Sequence, residues 1–124
     1  MKHNPGFLKV AEAAKRQVKE CTPHEVQARR ARGEKFLFID VREESEFAAG
    51  RPQGAIHLGR GILERDIETV VPDPNTEIVL SCGGGYRSAL AAVSLKEMGY
   101  THVVSMDGGI RAWREAGLPE EQGS

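Results

Sequence analysis

The sequence is poor in cysteine, poor in aromatic residues and free of long apolar runs, and each shortage removes a class of protein. Two cysteines in 124 residues, Cys21 and Cys82, are too few for the disulfide framework of a small secreted domain. No stretch approaches the roughly 20 consecutive apolar residues that span a bilayer. The N-terminal segment MKHNPGFLKVAEAAKRQVKE is interrupted by Lys9, Glu12, Lys15 and Arg16, so it lacks the continuous apolar stretch of a secretory signal. Neither sign of charge dominates. With 17 Lys and Arg against 18 Asp and Glu, there is no electrostatic footprint for nucleic acid and no pull towards an anionic membrane. His3, His24, His57 and His102 are scattered without ligand spacing, so neither a metal nor a cofactor is expected. What survives these exclusions is a soluble, cytoplasmic chain with reduced thiols, of a length that suits one domain.

What is present is an alternation of strands and helices. Phe7, Leu8, Val10, Ala11, Ala14 and Val18 recur at helical spacing. Thr22-Pro23-His24-Glu25 has the form of a capping box with proline at the first helical position, and the helix it opens should stop near Gly33. Residues 36–39 form a continuous apolar run, the mark of a strand buried on both faces. A short helix over 43–49, a weak strand over 54–58 and a helix over 62–71 follow. The turn-rich Pro72-Asp73-Pro74-Asn75 closes that helix. Strands over 77–81 and 102–106 bracket a helix over 88–98 that is apolar on most sides, and a last helix covers 110–116. This order predicts an α/β fold, a central parallel sheet with helices on both faces. In such sheets ligands bind beyond the carboxyl ends of the strands. That rule singles out Asp40-Val41-Arg42 and the stretch from Cys82 to Arg87.

The second of these carries the chemistry. Ser81-Cys82-Gly83-Gly84-Gly85-Tyr86-Arg87-Ser88 places a cysteine where a buried strand ends and a buried helix begins. Three glycines permit positive φ and a tight curl, and such a loop can turn successive N–H groups inward as an anion nest. The helix that follows adds the positive end of its dipole. All of these favour thiolate over thiol. Cys21 has no such setting and reads as structural.

Cys82-Gly83-Gly84-Gly85-Tyr86-Arg87 resembles the six-residue active-site loop C-x-x-G-x-R of single-domain rhodaneses. The stretch from Asp40-Val41-Arg42-Glu43 to Gly50 resembles the family's D-V-R-E block, and Gly54-Ala55-Ile56 its G-A-I. Gly108-Gly109-Ile110-Arg111-Ala112-Trp113 resembles its terminal G-G-x-x-x-W. The resemblance covers about residues 20 to 119 and implies the rhodanese fold. It also implies a sulfurtransferase that moves sulfane sulfur from thiosulfate, a polysulfide or a protein persulfide to a thiophilic acceptor, with no cofactor. Cys82 would be the nucleophile and carry a persulfide, whose outer sulfur is held by the backbone of Gly83, Gly84, Gly85, Tyr86, Arg87 and Ser88. Asp40 and Arg42 would support the site, either as an ion pair bracing the loop or through Arg42 binding an anionic donor. Arg87 is expected either to bind donor or to brace a carboxylate such as Asp40 or Glu46, and Tyr86 to expose its ring at the mouth.

The family pattern is broken in two places. Gly50-Arg51-Pro52 stands where the family has G-H-I, so its histidine is absent and local packing should change. The loop also lacks the cations that thiosulfate-preferring two-domain members carry beside the cysteine. Two rivals remain: a non-catalytic recognition or regulatory module, and a cysteine phosphatase or arsenate reductase. The latter use C-x5-R loops, one residue longer than the interval from Cys82 to Arg87, and a shorter cradle favours one sulfur over a tetrahedral oxyanion. The expected organisation is a helical extension over 1–20, the domain over 21–120 and a disordered tail over 121–124. Whether the extension packs on the domain or meets a partner is left open by its sequence.

Overall fold

The structure, a computed structural model, describes residues 2–123; Met1 of the extension and Ser124 of the tail lie outside the described residues. Helix α1 (Pro5–Gln17) leads into strand β1 (Lys19–Cys21) and helix α2 (Pro23–Ala31). Strand β2 (Leu37–Asp40) precedes the short helix α3 (Glu44–Ala49) and the two-residue strands β3 (Arg51–Pro52) and β4 (Ile56–His57). Helix α4 (Leu63–Val70), strand β5 (Glu77–Ser81) and helix α5 (Tyr86–Glu97) follow. Strand β6 (His102–Met106), helix α6 (Gly109–Glu115) and strand β7 (Glu120–Glu121) complete the chain. Five strands form one parallel sheet in the order β1-β6-β5-β2-β4.

The sheet explains the apolar runs. β5 lies at its centre, so both faces of Ile78-Val79-Leu80 are covered and all three are at most 1% exposed. Side chains alternate between faces. Ile78 and Leu80 join Leu63, Ile67, Ala92 and Leu95 from α4 and α5. Val79 joins Val26, Phe38, Ile110 and Trp113 beneath α2 and α6. The capping box at Thr22 forms as its sequence predicts, with Thr22 and Glu25 each accepting the other's backbone amide. The apolar all-round α5 is explained by α1, whose Ala11 and Ala14 are buried at 0% and 3%. Small side chains on that face let the two helices run close together.

Three features depart from the sequence reading. β1 is an edge strand of three residues, Lys-Glu-Cys, too short and too polar to announce itself. It pairs with β6, so the expected boundary between residues 20 and 21 runs through a strand of the main sheet. The expected disordered tail is corrected over its described part. β7 pairs antiparallel with β3, setting Glu120 against Pro52 and Glu121 against Arg51, and the Gly123 amide donates to the Ala48 carbonyl at 2.9 Å. The ladder, together with the Arg114–Glu120 ion pair, is what orders a charged terminal segment.

Trp113 is fully buried and its indole N–H donates to the Pro119 carbonyl at 2.7 Å. Trp113→Ala is expected to lower stability by about 3–5 kcal/mol, measured by urea unfolding followed by far-UV circular dichroism.

Candidate active site

Beyond β5 the chain turns at Cys82 into a loop whose facing is set by α6. The Cys82 carbonyl accepts the Ile110 amide at 2.8 Å, and the Gly83 carbonyl accepts the Arg111 amide at 3.1 Å. A peptide unit is planar and trans, so its C=O and N–H point opposite ways. With both carbonyls drawn to α6, the N–H groups of Gly83 and Gly84 are turned away from it. The close approach depends on glycine at 109. A Cβ there would strike the Cys82 carbonyl oxygen and lie 2.7 Å from the Gly83 carbonyl, at a backbone φ of +54°. Of the three loop glycines only Gly85 uses the left-handed region, at φ 97°, and its amide donates to Cys82 Sγ at 3.1 Å. The loop then becomes α5, whose first amides, from Tyr86 to Ser88, have no acceptor within the helix.

Cys82 is 1% exposed. Its Sγ lies 3.3 Å from Ser88 Oγ, which in turn lies 2.8 Å from the buried Ser105 Oγ of β6. Ser105 was not singled out in the sequence; an inward-facing serine in a strand is its only signal. Cys82 is among the residues that line a cavity of about 160 Å³, with the loop, Arg87, Glu46, Arg111, His3 and Phe7 as its other walls. At about 30 Å³ per water, that space admits a small molecule. Two larger hollows, of about 560 and 540 Å³, contain neither Cys82 nor its loop.

The charged residues fall into pairs. Arg87 meets Glu46 through two hydrogen bonds of 2.9 and 3.0 Å. Glu46 also accepts the Glu43 amide at 3.0 Å and so caps α3. The bond from Arg87 is the main reason its carboxyl is held down at about 2. Arg42, 5% exposed, is bound to the fully buried Asp40 at 2.7 Å and donates to the Gly50 carbonyl at 2.6 Å. Arg42 is therefore engaged at the end of α3 and does not line the cavity. Where the family histidine is missing, Arg51 instead stacks over Phe47 at 4.2 Å, and His57 packs 4.9 Å from the same ring.

Tyr86 is placed differently from expectation. Its ring is half-buried between His3 at 5.1 Å and Phe7 at 5.9 Å, with Lys15 at 5.4 Å. The extension supplies this cover and one wall of the cavity. Arg111 was also missed as a site residue, because the family pattern leaves its position open. Cys21 stays apart from the cavity, and burial, followed by the nearby Glu25, pushes its thiol up to about 11. At neutral pH that keeps it in the thiol form.

Residues 22–116 match the sequence profile of the Rhodanese-like domain. The chain is 35% identical to the thiosulfate sulfurtransferase GlpE of Haemophilus influenzae over 101 residues, 82% of this chain and 92% of that protein. The polysulfide-sulfur transferase homodimer of Wolinella succinogenes superposes with a TM-score of 0.79 at 30% identity, over 96% of this chain and 89% of that one. A protein of unknown function from Rhodopseudomonas palustris, described as a possible tyrosine phosphatase, gives a TM-score of 0.82 at 30% identity over 98% of each chain.

The Asp40–Arg42 pair is buried, so removing one partner strands a charge. Asp40→Ala is expected to cost about 3–5 kcal/mol, read by chemical denaturation. The Glu46–Arg87 pair is more exposed and should contribute at most about 1 kcal/mol. Glu46 sits at about 2 in the folded chain against an ordinary 4.5, so its contribution is present above pH 4.5 and fades as pH falls towards 2. The thermal midpoints of the parent protein and Glu46→Gln should converge across that window; a gap unchanged over it contradicts the pairing.

Proposed function

The chain belongs to the rhodanese-like domain family, and on that footing we propose that it is a sulfurtransferase in which Cys82 carries sulfane sulfur as a persulfide. The observation that carries this reading is the Gly85 amide 3.1 Å from Cys82 Sγ, in a loop whose outer carbonyls are tied to α6. Such a loop stabilises negative charge on sulfur with fixed donors, which need no reorganisation during reaction.

The first half-reaction starts from the Cys82 thiolate. It attacks the sulfane sulfur of the donor; a new S–S bond forms and the donor's bond to that sulfur breaks. The leaving group departs with the electron pair, as sulfite when thiosulfate is the donor or as a shortened chain when a polysulfide is. The negative charge now sits on the outer sulfur of the persulfide, one bond further into the cavity. Free amides of Gly83 and Gly84 and the first turn of α5 are the donors for it. In the second half-reaction a thiophilic acceptor, cyanide or a thiolate, attacks that outer sulfur and the electron pair returns to Sγ. No redox partner is required. This is nucleophilic catalysis in two displacements.

Ser88 completes the picture. Its hydroxyl, 3.3 Å from Sγ, donates to the thiolate, with Ser105 Oγ as its other partner. Asp40, Arg42, Glu46 and Arg87 hold the loop's surroundings and do not touch sulfur. The same names that mark the relatives, thiosulfate in one case and polysulfide in the other, support a small inorganic donor, and a persulfidated protein would have to reach into the same narrow cavity. The setting we assign is cytoplasmic, in keeping with two free cysteines in a reducing compartment. The catalytic unit runs from β1 through β7, with α1 as an added wall. Among the described residues no helix is long and apolar enough to cross a membrane.

Incubation with thiosulfate or polysulfide, followed by intact mass measurement, is expected to show a gain of one sulfur atom, lost on adding cyanide and absent from Cys82→Ser. No adduct with either donor returns the chain to a recognition module. Hydrolysis of an aryl phosphate that depends on Cys82 would instead make it a phosphatase.

A further inference from the structure

The charges around the cavity nearly cancel, with one exception. Arg87 is matched by Glu46. Asp107, beside the loop, is matched by Lys15 at 2.7 Å, and Lys15 also meets Glu20 at 2.9 Å. Asp40 is matched by Arg42 behind the site. Among the described residues Arg111 forms no ion pair and its side chain makes no hydrogen bond, although it lines the cavity.

Its position is fixed from below. The Arg111 amide is the donor that holds the Gly83 carbonyl, so the residue is registered to the active loop by its own backbone. From there the side chain runs to the opening, where Nη1 lies 3.9 Å from the point a Cβ on Gly84 would occupy. Glycine at 84 thus places no side chain against the guanidinium at the rim of the cavity. The guanidinium is a planar fork with parallel N–H donors, shaped for two oxygens of a sulfonate or carboxylate.

Taking the sulfurtransferase reading as its base, we propose that Arg111 seats the non-transferred, oxyanion end of a small sulfur donor. The sulfane sulfur then points towards Cys82 and the leaving group towards α6. The cation that the loop sequence lacks is delivered from a different element. Arg111 also lowers the repulsion between an anionic donor and the Cys82 thiolate. It touches the part of the donor that becomes the leaving group, so it acts in binding and orientation and carries no proton or electron.

Steady-state transfer from thiosulfate to cyanide would be measured for the parent protein, Arg111→Gln and Arg111→Lys. The expected result for Arg111→Gln is a KM for thiosulfate raised about tenfold, the scale of one charge-assisted contact. Its kcat stays within about twofold, the signature of lost donor binding. Arg111→Lys should recover much of the loss. Added salt should raise KM in the parent protein and far less in Arg111→Gln, since screening acts on a charge that the variant lacks. A KM that does not move, or a fall in kcat alone, overturns the assignment. Thiosulfate binding to the Cys82→Ser protein, titrated with and without Arg111→Gln, separates this from the underlying reaction. About tenfold weaker binding supports the seat even where no sulfur is transferred, and equal binding removes it.

Discussion

Two hydrogen bonds, from the amides of Ile110 and Arg111 to the carbonyls of Cys82 and Gly83, decide which way the active loop faces. A loop of glycines has many conformations open to it, and a floppy one would spread its amides in all directions. Here the last helix grips two consecutive carbonyls, and rigid peptide planes convert that grip into the orientation of the opposite N–H groups. The grip is possible because Gly109 presents no side chain to the loop. The terminal glycine pair and the cysteine loop, far apart in sequence, are therefore one device.

Around that device the protein neutralises its own charges. Glu46 serves twice, capping α3 and holding Arg87, so the helix after β2 and the helix after β5 are fastened together at the rim. Arg42 fastens the far end of α3 through the Gly50 carbonyl. Among the described residues, the sulfur is left with neutral donors close by and Arg111 as the one unpaired cation lining the cavity. The rings of His3, Phe7 and Tyr86 pack together on the remaining side.

Much of this was readable from residues alone. β5 and β6 announced themselves because a strand covered on both faces must be apolar throughout, and the Thr22 capping box carries its own geometry. The loop was singled out by cysteine, glycine and arginine at fixed spacing after such a strand. What was not legible had no local signature. β1, β3 and β7 are short and polar, and only their partners make them strands. Tyr86 was expected at the surface; the Phe7 ring that packs on it lies 79 positions earlier in the chain. Arg87 had two readings until the carboxylate of α3 was seen beside it. Arg111 sat inside a recognised motif at a position that the motif does not specify.

The small ladder between β3 and β7 makes the far end of the chain a remote tether for the active site. Residues 120–123 hold the last turn of α3 through Ala48 and the segment after it through Arg51 and Pro52, and α3 carries the glutamate that positions Arg87. Trimming that tail would remove contacts made by Ala48, Arg51 and Pro52, next to the helix that forms the rim of the cavity. Handling of the C-terminal residues thus becomes a variable in every measurement of the enzyme.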